Sequence, residues 1–186
     1  MQVETTDLPG VLILRPRVFE DARGFFLESY NQETLRSHGI GTVFMQDNHS
    51  KSARGTLRGL HYQLPPAGQV KLVRVVRGAV WDVAVDIRVG SPTFGRWVGA
   101  ELSAENFRQL YIPCGFAHGF CVLSEDAEML YKASHVYSPA HERGIRWNDA
   151  TLQIAWPVAE PLLSERDRRL GTLADYLSGT PFVHGG

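Results

Sequence analysis

Glycine and proline punctuate this chain from end to end, and that spacing constrains the fold more than any other feature. Eighteen glycines and ten prolines are spread through 186 residues, and both residue types mark turns. The runs between them are short and alternate. In Ala79 to Ile87, Trp81, Val83, Val85 and Ile87 share one face, and Asp82 and Asp86 the other. Strands are expected at Val11–Leu14, Phe44–Asn48, Val70–Val76, Ala79–Ile87, Arg96–Leu102, Phe107–Ile112, Phe116–Leu123 and Ala127–Ser134. Eight or more strands with turns every 8–12 residues or so indicate an antiparallel sandwich or barrel.

Arg77-Gly78 reads as the turn of a hairpin joining Val70–Val76 to Ala79–Ile87. Ser103 to Asn106 reads as one capped helical turn. Helices are expected in only a few other places. Asn31 suits an N-cap for a short helix through Ser37, which Gly39 would end. Ser164-Glu165-Arg166-Asp167 resembles a capping box, and Leu173 to Leu177 reads as another short helix. The short C-terminal helices therefore fall at about 164–178. With no internal repeat and no long linker, residues 1–186 read as one domain.

Charge narrows the function classes. Nineteen Lys and Arg against 20 Asp and Glu leave the chain near neutral, which argues against nucleic acid or a membrane surface as partner. A local basic pocket is still allowed. Cys114 and Cys121 are too few for a disulfide framework, so reduced thiols in the cytoplasm are expected. Glu4 and Asp7 precede the first apolar run, which does not read as a signal peptide. No apolar run reaches the roughly 18 residues needed to cross a bilayer.

Chemistry concentrates between Gln46 and Lys71. Strand alternation in Arg58-Gly59-Leu60-His61-Tyr62-Gln63 aims His61 and Gln63 to one face and Leu60 and Tyr62 to the other. His61 near Arg58 suits an acid–base group beside an anion contact, or a core histidine held by a carbonyl. Lys71 is a pocket cation or a solvated strand start; Tyr131 is a donor or a packed phenol. Asp167 could be no more than a helix cap. A metal centre fits poorly, because no His-x-His occurs and a lysine stands close by.

Larger motifs set these residues in one pattern. They are Arg23-Gly24-Phe25-Phe26-Leu27-Glu28, Gln46-Asp47-Asn48-His49-Ser50, Leu57-Arg58-Gly59-Leu60-His61-Tyr62-Gln63 and Lys71-Leu72-Val73-Arg74. Downstream stand Gly115-Phe116-Ala117-His118-Gly119-Phe120, Tyr131-Lys132, His141-Glu142-Arg143-Gly144 and Leu163-Ser164-x-x-Asp167. In order and spacing the chain resembles the dTDP-4-dehydrorhamnose 3,5-epimerase family, the RmlC-like branch of the cupins. The likeness covers Arg23 to Asp167. One departure is Arg166, where lysine is expected in much of the family; a planar fork replaces a point donor.

The resemblance implies a jelly roll and a homodimer in which residues 1–30 lie at the interface. It implies dTDP-4-dehydro-6-deoxy-D-glucose as substrate, a ketone that acidifies its own C3 and C5 hydrogens, with neither metal nor nicotinamide. His61 would be the base, held by Asp167; Tyr131 the acid from the opposite side; Lys71 the stabiliser of the oxyanion. Arg23 and Arg58 would hold the diphosphate, and Gln46 and Asn48 the thymine or sugar. Phe25 and Tyr137 would stack on the base, with Glu142, His118 and Arg166 also at the pocket. Arg23 and Glu28 would complete the neighbour's site. Alternatives are an epimerase acting at C3 or C5 alone in an antibiotic-sugar pathway, a non-catalytic sugar-nucleotide-binding cupin, and a metal-dependent cupin.

Overall fold

A computed structural model of the chain describes residues 1–179 and 181–185. In chain order it has β1 (Gln2–Thr5), β2 (Leu12–Arg15), β3 (Val18–Asp21), β4 (Gly24–Leu27), α1 (Gln32–Ser37) and β5 (Gln46–Ala53). Next are β6 (Leu57–Gln63), β7 (Lys71–Arg77), β8 (Ala79–Asp86), β9 (Arg88–Val89), β10 (Trp97–Ser103) and β11 (Gln109–Ile112). The rest are β12 (Phe116–Val122), β13 (Asp126–Ala133), β14 (Glu142–Gly144), α2 (Glu165–Arg168), α3 (Leu173–Leu177) and β15 (Phe182–Val183).

Two antiparallel sheets carry the fold, ordered β1-β2-β11-β7-β13-β5 and β10-β8-β12-β6-β14. Strand alternation gives each sheet two apolar faces. The inner faces meet in a core of Val73, Val75, Leu110 and Met129 against Val80, Leu102, Phe116 and Phe120. Behind the five-stranded sheet, Leu60, Tyr62, Val83 and Val85 are covered by Leu152, Leu173, Tyr176 and Phe182 from the C-terminal tail. Behind the six-stranded sheet, Leu14 and Leu72 take Leu35 of α1 and Ile40. This is the all-β sandwich that the alternation predicts. Both sheets are thus lined with apolar side chains front and back, so polar groups in the inner space stand out.

Asn31 caps α1 as expected, its side chain accepting from the Glu33 and Thr34 amides. Elsewhere the structure corrects the reading. The strands flanking Arg77-Gly78 are not a hairpin: β7 pairs with β11 and β13, whereas β8 pairs with β10 and β12. Gly78 takes a positive φ of 71° where the chain passes from one sheet to the other, tight against the Asp126 carbonyl. The strand expected from Phe44 begins at Gln46 and runs on to Ala53. Ser103–Asn106 is a turn rather than a helix, closed by reciprocal bonds between the Asn106 and Ser103 side chains and each other's amides. A first strand, β1, was hidden by its polar sequence. It flanks β2 on the side away from β11, so the apolar β2 is paired on both sides.

Candidate active site

His61 sits on β6, pointing into the space between the sheets. Strict alternation would put Arg58, three residues earlier, on the opposite face. A register shift between β6 and β12 changes that: His61 pairs with His118 and Arg58 with Phe120, leaving two residues opposite Gly119. The extra residue reverses the parity, and Arg58 and His61 line one cleft of about 400 Å³. Gly59 permits it, with φ 125° and a backbone so close that a Cβ would lie 2.5 Å from Gly119 Cα.

Asp167 comes from α2, 106 residues away, and meets His61 Nε2 at 2.6 Å. Ser164 caps that helix by accepting from the Asp167 amide at 3.0 Å. In a full capping box the acid would reach back to the cap residue; here its carboxylate is turned to His61 instead. Burial pushes the Asp167 carboxyl up, but the bond and charge of His61 and the Ser164 hydroxyl hold it below the usual aspartate range. As the carboxylate accepts from Nε2–H, a neutral ring keeps Nδ1 as its basic nitrogen.

The facing wall is the six-stranded sheet. Tyr131 on β13 pairs with Asn48 of β5 on one side and Val73 of β7 on the other. Two residues along, Ala133 lies between Gln46 and Lys71. Tyr131, Asn48, Gln46 and Lys71 therefore occupy adjacent positions on one inner face, where alternation requires them. They line a cleft of about 120 Å³ with His61 and Glu142. Burial pushes the Lys71 ammonium down to about 8, against the opposing pull of Asp82 and Glu142. Burial and the Glu142 charge push the Tyr131 phenol up, so it keeps its proton.

The rim is one connected network. Glu142 accepts from the Tyr137 hydroxyl at 2.5 Å and from Arg166 at 2.7 Å. Burial alone would raise its carboxyl; those two donors bring it below the usual range. The Gln46 side chain accepts from the Tyr137 amide and donates to Asn48. Arg58 donates to Ser52 and the Lys51 carbonyl. Arg166, standing where lysine was expected, spends part of its fork on Glu142 and lines the same cleft as Arg58.

His118 lies beside His61, buried, with Nε2 3.0 Å from each Asp82 oxygen. Asp82 was overlooked as a site residue. Its signal was an acid in the middle of a valine-rich strand, on the face opposite Trp81 and Val83. Three expected residues are not brought to the cleft by this chain. Arg23 is 90% exposed and pairs with Asp21. Phe25 packs edge-on against Phe107. Glu28 accepts from the Asn31 side chain. Phe26, next to Phe25, is more exposed still, at 70%.

Comparison with known proteins bears directly on this arrangement. A family profile described as dTDP-4-dehydrorhamnose 3,5-epimerase matches residues 5–175. The dTDP-4-dehydrorhamnose 3,5-epimerase of Shigella flexneri is 61% identical over 168 residues, 90% of this chain and 93% of that one. That of Pseudomonas aeruginosa is 58% identical over 177 residues, covering 94% and 97%. The crystal structure of a Legionella pneumophila dTDP-6-deoxy-D-glucose-3,5-epimerase holding dTDP-4-keto-L-rhamnose superimposes with a TM-score of 0.90. It is 47% identical and covers 93% of each chain. The sandwich is accordingly a cupin jelly roll, and the chain belongs to the dTDP-4-dehydrorhamnose 3,5-epimerase family.

Proposed function

We propose that this protein epimerises dTDP-4-dehydro-6-deoxy-D-glucose at C3 and C5, forming dTDP-4-dehydro-L-rhamnose through enolate intermediates, as a step of dTDP-L-rhamnose synthesis. The observation that carries the reading is the division of labour between sheets. The paired imidazole comes from β6 and the protonated phenol from β13, so base and acid approach from opposite walls. Inversion of a carbon centre needs that arrangement.

His61 takes the proton at C3 or C5 and Asp167 stabilises the imidazolium that results. The electron pair moves into the C4 carbonyl, where cationic Lys71 meets the developing oxyanion; one such donor contributes about 2.7–4 kcal/mol in measured cases. Tyr131 returns a proton from the other face, most clearly at C5. The ketone already supplies the electron sink, so neither a metal ion nor a nicotinamide has a step to perform.

Arg58 and Arg166 offer forks to the diphosphate. Tyr137 stacks on thymine, Gln46 and Asn48 read polar groups, and Glu142 with His118 completes the pocket. Residues 1–186 act as one domain in a cytoplasmic homodimer whose first thirty residues lie at the interface. Arg23, Phe25 and Glu28 then serve the neighbour's nucleotide. Near-neutral charge is consistent with a small-molecule substrate and with no nucleic-acid or membrane partner.

Proton NMR of the dTDP-ketosugar in deuterated water tests this. Deuterium should enter at both C3 and C5, with inversion, and activity should persist after exhaustive chelation. Exchange at one centre would restrict the chemistry to a single-site epimerase, and exchange at neither would leave a binding protein. Activity lost to chelation and restored by a divalent ion would refute the metal-free route.

A further inference from the structure

Asp82 has no part in the mechanism above, yet it is an acid with no solvent exposure on the inner face of β8. An ionisable group in such a place needs partners. One partner is the His118 ring, whose Nε2 is 3.0 Å from both carboxylate oxygens. Lys71 reaches the same inner space from β7, where the negative charge of Asp82 favours its ammonium against the effect of burial. The two sheets bring these groups together across the inner space: Lys71 from β7, Asp82 from β8, His118 from β12.

We propose that Asp82 is a positioning residue for the epimerisation, holding Lys71 cationic and His118 in one tautomer at the inner end of the cleft. The proposal rests on Lys71 acting as the oxyanion's counter-charge. It assigns that charge a dedicated support.

His118 is buried, and burial pushes its imidazole down despite the pull of Asp82, so the ring is neutral near pH 7. A neutral ring has one N–H. The two carboxylate oxygens at Nε2 fix it there, leaving Nδ1 an acceptor. Lys71 has the opposite need. Burial lowers it to about 8, so its positive charge is lost as pH rises through that value. Five groups bear on it: Asp82 on β8, Glu142 on β14, His61 on β6, His118 on β12 and Tyr131 on β13. Of these, Asp82 and Glu142 are the anions. Glu142 is already committed to Arg166 and Tyr137 at the rim. Among the described residues, the side-chain partner of Asp82 is the neutral His118 ring, so its charge is the less cancelled.

Asp82→Asn keeps the shape and removes the charge. The wild-type rate should fall above about pH 8, and in Lys71→Arg that limb should vanish, since guanidinium does not titrate there. In Asp82→Asn the limb should move at least one pH unit to the acid side. The turnover number at pH 7.5 should drop about threefold or more with KM changed less, and lowering the pH should restore much of the loss. Asp82→Glu should return the limb toward its wild-type place. A limb in Asp82→Asn that stays where it was, at whatever rate, would overturn the role. A limb that survives in Lys71→Arg would instead remove Lys71 as the titrating group, and Asp82's support with it. Nitrogen-15 NMR of histidine-labelled wild-type protein tests the second half without a variant. His118 should be the neutral Nε2–H tautomer, and an Nδ1–H or doubly protonated ring would contradict it.

Discussion

The inter-sheet cleft and the β3–β4 hairpin are built on opposite principles. In the cleft the acids are paired: Asp167 with His61, Asp82 with His118, Glu142 with Tyr137 and Arg166. Its members come from seven strands, one helix and the segment between β13 and β14, and burial holds Lys71 and Tyr131 away from their ordinary proton affinities. The hairpin offers the reverse. Phe19, Phe25 and Phe26 are each at least half exposed, and Arg23 pairs with its neighbour Asp21. Yet the motif Arg23 to Glu28 lies within the stretch that resembles the family. One region has its partners inside the chain; the other presents aromatic and cationic groups outward, as a surface awaiting a second copy would. Proton transfer should therefore depend on single side chains within one chain, and nucleotide affinity on assembly.

The sharpest way to break this contrast is at the base. His61→Ala should lower deuterium exchange at C3 and C5 together by roughly 10²–10⁴-fold, with dTDP binding largely kept. Substantial exchange left at either carbon would mean that the centres use different bases. Tyr131→Phe should cost inversion a similar factor, most severely at C5, while exchange falls less, because His61 and Lys71 still form the enolate. Equal losses of both would make Tyr131 a substrate-holding residue.

On the hairpin side, Arg23→Ala should weaken dTDP binding about tenfold or more, the scale of one charge-assisted bond of roughly 1.5–3 kcal/mol. Exchange rates at saturating substrate should change little, and the protein should sediment as a dimer. A fully active monomer at micromolar concentration would sink the shared site.

These two regions were unequally legible in the sequence. Alternation set Tyr131 with Met129 on one side of its strand, but it left Lys71 either in the pocket or at a solvated strand start. It could not see that β6 carries an extra residue opposite Gly119, which brings Arg58 round to His61. The Arg77-Gly78 turn has ordinary hairpin chemistry, and only the packing of two sheets separates its arms. Asp167 looked like a cap and is one in part: its amide is capped, while its carboxylate serves His61. Asp82 was passed over because its partner His118 lies 36 residues away, on a strand that does not follow β8 as a hairpin.

Smaller effects test the balance of charge in the cleft. Arg166→Lys should change nucleotide affinity only a few-fold, because the cation is kept while the fork to Glu142 is lost. A change beyond about tenfold, measured by calorimetry, would show that the fork itself grips the diphosphate. The Asp167 carboxyl is held below its ordinary value. Its stabilising contribution is therefore full above about pH 4 and is lost as pH falls through the lowered value. The difference in melting temperature between wild type and Asp167→Asn should shrink steadily as pH falls from about 4 to about 2.5. A difference that is constant over that range would mean the pair adds nothing to folding.

Base and acid should reach the sugar from opposite sheets. A crystal structure of the dimer with dTDP-4-dehydro-L-rhamnose bound tests it most directly. The sugar ring should lie between His61 Nδ1 and the Tyr131 hydroxyl, one on each face, with the C4 oxygen at Lys71. Finding His61 and Tyr131 on the same face of the ring would contradict the account.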